Sequence, residues 1–212
     1  MQELHKERIN ISNLYSSVIG YALSRRREYN PGLIIMTGDS GVGKSTIAQQ
    51  IAKENHCTIL RNDQLRIEAF ENPRMDVHED LIFFQVLENL LVTLLQLGCV
   101  VLWDARFPTV SVRKAKAELL RKLKIPFLAI HVYCPDHIRH RRLKARQKRR
   151  DLRRECLSFY SSEIESRRLL NWTTYEPPDP SEDYIINFDN ASITTSEIQE
   201  LLCVVASRLN KQ

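Results

Sequence analysis

No window of this 212-residue sequence reads as a secretory signal, and no apolar run is both long and unbroken. The most apolar region, Leu81 to Trp103, is interrupted by Gln85, Glu88, Asn89, Gln96 and Gly98. That pattern argues against a membrane span and predicts a buried helix followed by a buried strand. Cysteine is scarce, with five scattered residues (57, 99, 134, 156 and 203) and no C-x-x-C pair. An odd, dispersed set argues against a disulfide framework or a zinc site; reduced thiols in a cytoplasmic protein are expected. His137 and His140 form no recognised C-x-x-C or H-x-x-x-H zinc pattern, so no transition-metal site is assigned. Internal repeats and low-complexity segments are absent from the sequence. Excess charge is also scarce except in one place. The net charge is +5, and the positive residues concentrate between Arg139 and Arg154, which points to a local anion site rather than a uniformly basic surface.

What the chain does contain is Gly38-Asp39-Ser40-Gly41-Val42-Gly43-Lys44-Ser45, followed by Thr46. This fits G-x-x-x-x-G-K-[ST]. The glycines allow a tight turn whose backbone N–H groups point inward and cradle phosphate oxygens. Lys44 adds a point charge within reach of the β- and γ-phosphates, Ser45 offers a hydroxyl to Mg²⁺, and the helix that begins near Lys44 turns its positive end to the same anions. Context supports the motif. Leu33-Ile34-Ile35-Met36-Thr37 reads as a buried strand before the loop, and Ile47, Ala48 and Ile51 fall on one helical face after it. Binding of a nucleoside triphosphate, with ATP and Mg²⁺ as cofactors, follows.

The rest of the chain alternates strand and helix. Residues 1–29 read as a helical lead-in closing on Arg25-Arg26-Arg27, with packing across the domain favoured over a nucleic-acid contact. Strands are predicted at 57–60, 99–103, 127–133 and 184–188. Helices are predicted near 64–71, 76–97 and 109–124, then across a basic lid at about 137–170, and from Thr194, where Glu197 completes a capping box. The helix at 76–97 is apolar nearly all round and is expected to lie buried between layers. Short connections and this alternation predict a single α/β domain over 1–212: a P-loop three-layer α/β/α fold with a mostly parallel five-stranded sheet and a helical lid. Strand order is not readable from one sequence.

Phosphoryl transfer needs a proton acceptor, a carboxylate in the metal shell and cations on the transferring group. Asp63, just past the second strand, and Asp104, at the tip of the third, supply two carboxylates on the ligand-binding edge of a parallel sheet. Arg139, Arg141, Arg142, Arg146, Arg149 and Arg150 lie on a segment able to fold over that edge. Structural alternatives stand beside these roles: Asp63 as a helix N-cap, Asp104 as a buried structural acid, any one arginine as solvated surface. His131 is expected to be a satisfied core histidine, and Phe107 either core or a wall of the acceptor site.

From about Leu33 to Asp189 the sequence resembles the polynucleotide-kinase-like group of P-loop phosphotransferases, with its zeta-toxin and chloramphenicol-phosphotransferase types. The resemblance rests on Gly38–Thr46, on Asp63-Gln64-Leu65-Arg66 as D-x-x-R, on Asp104, on Arg142-Leu143-Lys144-Ala145-Arg146, and on Tyr175-Glu176-Pro177-Pro178 before the last strand. It implies that Asp63 takes the proton of the acceptor hydroxyl, that Arg66 orients the acceptor, that Asp104 is a Walker-B-like acid near Mg²⁺, and that Arg142 and Arg146 clamp the phosphates. Two positions depart from the group. Arg106 replaces a small polar residue and implies an anionic acceptor; Asp39-Ser40 stands where polynucleotide kinases often carry proline. Three functions are compatible with the sequence: a kinase for a small molecule or nucleotide, a 5′-hydroxyl polynucleotide kinase, and a nucleotide-dependent switch without acceptor chemistry. Two strand-end carboxylates and an arginine lid favour a kinase over the switch. The acceptor, the oligomeric state and the pathway are not encoded legibly.

Overall fold

The computed structural model describes residues 2–25, 31–70, 73, 76–152, 175–192 and 194–210. Its frame is a five-stranded sheet: β1 (Gly32–Thr37), β2 (Thr58–Arg61), β3 (Val100–Asp104), β4 (Phe127–Tyr133) and β5 (Ile185–Asp189). The order is β2-β3-β1-β4-β5, and every pairing is parallel. β1 is central and buried at all six positions, which is why its sequence is an unbroken apolar run rather than an alternating one.

Side-chain parity splits the core in two. On one face Leu33, Ile35, Leu60, Val101, Trp103 and Ala129 pack beneath α1 (Gln2–Arg25), α4 (Val77–Gln96) and α5 (Val110–Lys122). On the other, Ile34, Met36, Leu102, Ile130 and Val132 meet α2 (Lys44–Glu54) and α7 (Thr195–Asn210). The result is a three-layer α/β/α sandwich, completed by α3 (Asn62–Ala69) and α6 (Asp136–Leu152) at the C-terminal edge of the sheet.

Local chemistry fixes the helix ends. Asp76 caps α4 by accepting from the N–H of Glu79 at 2.8 Å, and Thr109 caps α5 from Val112 N–H at 3.3 Å. α4 stops at Gly98, where Cys99 N–H returns to Leu94 O. The expected capping box forms: Thr194 N–H donates to Glu197 Oε2 at 2.8 Å, and Glu197 N–H donates to Thr194 Oγ1 at 3.3 Å. α1 does pack across the domain, through Leu14 and Ala22, and Tyr15 Oη donates to Val86 O on α4.

α4 corrects one expectation. It is not covered on all sides. Phe83, Leu87, Leu90, Leu91 and Leu94 face the sheet and α1, while Val77 (67% exposed), Leu81 (68%) and Phe84 lie open. Each fully buried Leu or Phe contributes roughly 1.5–3 kcal/mol, so the inner face alone secures the helix. The second lid helix expected at 153–170, Cys156 and Arg26–Arg27 lie outside the described residues, as do the side chains of Arg149 and Arg150. Among the described residues no helix is long and apolar enough to cross a membrane.

Candidate functional site

The loop 38–43 joins β1 to α2, and its glycines carry the turn. Gly43 sits at φ 99° as the cap of α2, and a Cβ there would come within 2.2 Å of Asn190 Nδ2. A Cβ on Gly41, at φ 85°, would meet Leu143 of α6 at 2.7 Å. No other residue fits either place, so α6 and the segment after β5 are seated directly on the loop. Gly43 O accepts from Thr46 N–H at 3.1 Å and from Ile47 N–H at 3.3 Å, which starts α2. Val42 is buried, and its carbonyl accepts from Asn190 Nδ2 and from Arg142 NH1.

Lys44 Nζ donates to Gly38 O at 3.0 Å and Asp39 O at 2.8 Å, so the ammonium is folded back under its own loop. Burial pulls its pKa down to about 8, against the opposing fields of Asp104, Asp39 and Asp63. The loop acid and both strand-end acids thus act on one cation.

Asp104 ends β3 and is buried, with the Ser45 side chain beside its carboxylate. Burial raises its pKa; the Ser45 hydroxyl, then Lys44, then Arg61 oppose that rise. Arg61 is its cross-strand partner in the β2–β3 ladder and brings Nε to 3.9 Å from Asp104 Oδ2. A hydroxyl beside a carboxylate is an all-oxygen pair of the kind Mg²⁺ takes when phosphates and water complete its shell, so these residues fit that ion. Among the described residues no group of three or more His, Cys, Asp or Glu assembles.

Asp63 lies in the first turn of α3, while the cap position is Arg61, which makes no side-chain cap bond. Asp63 is half exposed (51%), and Oδ2 is 4.0 Å from NH2 of Arg146, itself 55% exposed. α6 therefore reaches over the sheet edge to the carboxylate beyond β2.

The other expected cations divide. Arg66 turns into the fold: NH1 donates to Glu79 Oε1 and NH2 to Asp80 Oδ1, each at 2.5 Å, and its guanidinium lies 4.3 Å from the Phe83 ring centroid. Those acids sit on α4, a helix the D-x-x-R motif does not mention. Arg142 lies against the back of the phosphate loop, donating from NH1 to Val42 O at 3.0 Å and from NH2 to Asn190 O at 2.7 Å. Arg106 stays at the site, with NH2 3.2 Å from Asp39 Oδ1. Ser40 N–H donates to the same oxygen at 2.8 Å, and Arg139 NH1 lies 3.2 Å from Asp39 Oδ2.

The loop that carries Arg106 is anchored by a group sequence reading missed. Arg113 has 0% side-chain exposure and spends all its donors: Nε and NH2 on Glu182 at 2.9 Å, NH1 on Phe107 O and Glu176 O, and NH2 also on Pro177 O. Burial would raise the pKa of Glu182; the Arg113 bonds, the Asp179 N–H and the Tyr184 hydroxyl outweigh it and hold the carboxyl below its usual range. Phe107 is buried with φ 44°, edge-on to Trp103 at 5.2 Å, and its carbonyl is pinned by Arg113 and by Thr37 Oγ1. Arg113 stands one position from Lys114 in a helix rich in surface lysines, so only its depth distinguishes it. His131 is satisfied as expected, but it is only half-buried and not part of the core. Its Nδ1 lies 2.8 Å from Asn187 Oδ1, its ring stacks with Tyr133 and Tyr175, and burial lowers its pKa.

Solved structures share this fold at low identity. The Mycobacterium tuberculosis APS kinase CysC, solved with AMPPNP and APS, is 18% identical with a TM-score of 0.56, covering 86% of this chain and 99% of its own. A gluconokinase from Sinorhizobium meliloti 1021 is 16% identical with a TM-score of 0.52, covering 85% and 94%. A sugar kinase from Janibacter sp. HTCC2649 is 17% identical with a TM-score of 0.53, covering 83% and 95%. At these identities the likeness shows the fold, a P-loop kinase-like three-layer sandwich. No curated protein matches the sequence. The family model AAA_33, described as an AAA domain, matches residues 33–158, from β1 through α6, and the chain belongs to that family.

Proposed function

We propose that this chain is an ATP-dependent phosphotransferase that moves the γ-phosphoryl group to a hydroxyl, or to a phosphate, of an anionic acceptor. The class of acceptor is a phosphorylated small molecule, a nucleotide or a nucleic-acid end, in the manner of the polynucleotide-kinase-like group. The observation that carries the reading is the approach of Arg146 to Asp63 on the sheet edge that also holds Lys44, Ser45 and Asp104. A nucleotide switch needs the loop and its metal pair, but it has no use for a second carboxylate met by an arginine from another helix.

In this reaction the acceptor oxygen bonds to the γ-phosphorus as the bond to the β,γ-bridging oxygen breaks, ADP departs, and the acceptor proton passes to Asp63. Lys44 leaves the Gly38 and Asp39 carbonyls to meet phosphate oxygens. Ser45 and Asp104 would hold Mg²⁺, whose chemistry there is neutralisation of phosphate charge. Arg146 supplies a cation to the transferring group, and Arg106 faces the acceptor. Arg142 and Asn190 brace the loop from behind, and Arg66 sets α3 against α4, which acts on the acceptor side through Asp63.

The 5′-hydroxyl polynucleotide kinase reading is favoured by Arg141, Lys144 and Lys148, which are exposed on α6 and able to track a backbone. The two readings separate in one experiment: transfer of label from γ-labelled ATP to a panel of nucleotides, sugar phosphates and 5′-hydroxyl oligonucleotides. A labelled small molecule supports the first. An oligonucleotide product whose yield falls steeply with salt supports the second. ATP hydrolysis that no acceptor stimulates refutes both.

A further inference from the structure

Asp39 carries the wrong charge for its place. It is the second residue of a loop shaped to collect anions, and its field opposes any phosphate that arrives. In the structure it collects cations instead. Oδ1 accepts from Ser40 N–H at 2.8 Å and from Arg106 NH2 at 3.2 Å, while Oδ2 lies 3.2 Å from Arg139 NH1. Its backbone oxygen accepts from Lys44 Nζ at 2.8 Å. One residue thus engages three cations from three places: the start of α2, the segment just after β3 and the start of α6. Arg139 is further tied to Asp136, whose Oδ1 accepts from Nε at 3.0 Å. A carboxylate gripped by two guanidiniums and a backbone N–H occupies the surroundings a phosphate oxygen takes in an anion site.

We propose that Asp39 is an internal counter-anion: its carboxylate keeps Arg106 and Arg139 gathered at the loop, and an incoming phosphate group takes both arginines from it. The ligand class follows from charge. A carboxylate bears one negative charge, whereas a terminal phosphate bears about −1.5 to −2 at neutral pH, so a phosphate displaces Asp39 and a monoanion does not. Asp39 therefore selects against singly charged anions and offsets the repulsion between two arginines. The inference rests on the phosphotransferase reading and refines it. The displacing phosphate belongs either to the nucleotide or to the acceptor.

Calorimetric titration of the full chain with the non-hydrolysable analogue Mg-AMPPNP, and then of the Mg-AMPPNP-saturated chain with inorganic phosphate, tests this. Asp39→Asn is expected to tighten one of the two by about tenfold at low salt, since it removes a competing anion from two partly exposed pairs. A gain in the first titration assigns the arginines to the nucleotide, a gain in the second to the acceptor phosphate. Asp39→Glu keeps the charge and is expected to bind as the wild type does. Asp39→Ser, which keeps a hydrogen-bond acceptor for Ser40 N–H, is expected to follow Asp39→Asn and guards against a simple loss of loop shape. Unchanged or weaker binding in both titrations for Asn and Ser overturns the inference, as does a gain that persists when Arg106 and Arg139 are both replaced by Gln. A wild-type chain that binds no Mg-AMPPNP overturns the phosphotransferase reading, and the inference with it.

Discussion

Lys44 has two environments to choose between, its own loop carbonyls and a triphosphate, and the choice is readable in its proton. Burial brings its pKa from 10.5 down to about 8. The folded state therefore binds fewer protons than the unfolded state between about pH 8 and 10.5. Stability from this group rises with pH across that window and is penalised in full below it. Phosphate reverses the sign, because a bound polyanion raises the pKa again. Mg-AMPPNP affinity should be fullest below pH 8 and fall as pH climbs past it, by up to about tenfold per pH unit, with a proton taken up on binding. Titration across about pH 7 to 10 in two buffers of different ionisation enthalpy reads both effects. A flat profile through that range would place the ammonium elsewhere. Lys44, Ser45, Asp63 and Asp104 were all legible in the sequence because strand tips and a glycine loop fix where they lie. Arg66 and Arg142 were legible as arginines near the site but not in their partners. The acids of α4 and the carbonyl of Asn190 come from segments remote in sequence, and no local spacing reports them.

Strands, helices and their order along the chain could be read from periodicity and turn residues, because each depends on neighbours in sequence. Sheet order could not, and neither could the open side of α4, since both depend on which elements meet. The same limit hid the bracket between α5 and the segment 175–182. Arg113 and Glu182 form a buried ion pair whose remaining donors and acceptors are satisfied by Phe107, Glu176, Pro177, Asp179 and Tyr184. Removing one partner leaves a buried charge without its counter-ion. Arg113→Met should destabilise the chain by roughly 3–5 kcal/mol, measured as a lowered urea midpoint. The neighbouring Lys114 has a side chain 41% exposed to solvent, so Lys114→Met should change the midpoint little. Equal effects of the two substitutions would remove the bracket from this description. The bracket also holds the carbonyl of Phe107, the residue that follows Arg106.

At the scale of the molecule, a parallel sheet aligns its chemistry by aligning its strand ends. The register sets Arg61 beside Asp104 and Thr37 beside His131, so residues far apart in sequence arrive on one edge together. A ligand that binds only this assembled edge must stabilise the fold. Mg-AMPPNP at about a hundred times its dissociation constant should raise unfolding stability by about 2.7 kcal/mol, and Lys44→Met should abolish the rise. Thermal melts with and without the analogue decide this, and an unchanged midpoint in the wild type would argue against a nucleotide site. The proton acceptor is where the phosphotransferase reading is most exposed. The direct measurement is γ-phosphoryl transfer, alongside Mg-ATP affinity, in the wild type and Asp63→Asn. The predicted result is turnover reduced by about 10²–10⁴ with affinity for Mg-ATP retained. Transfer by Asp63→Asn at the wild-type rate would contradict it.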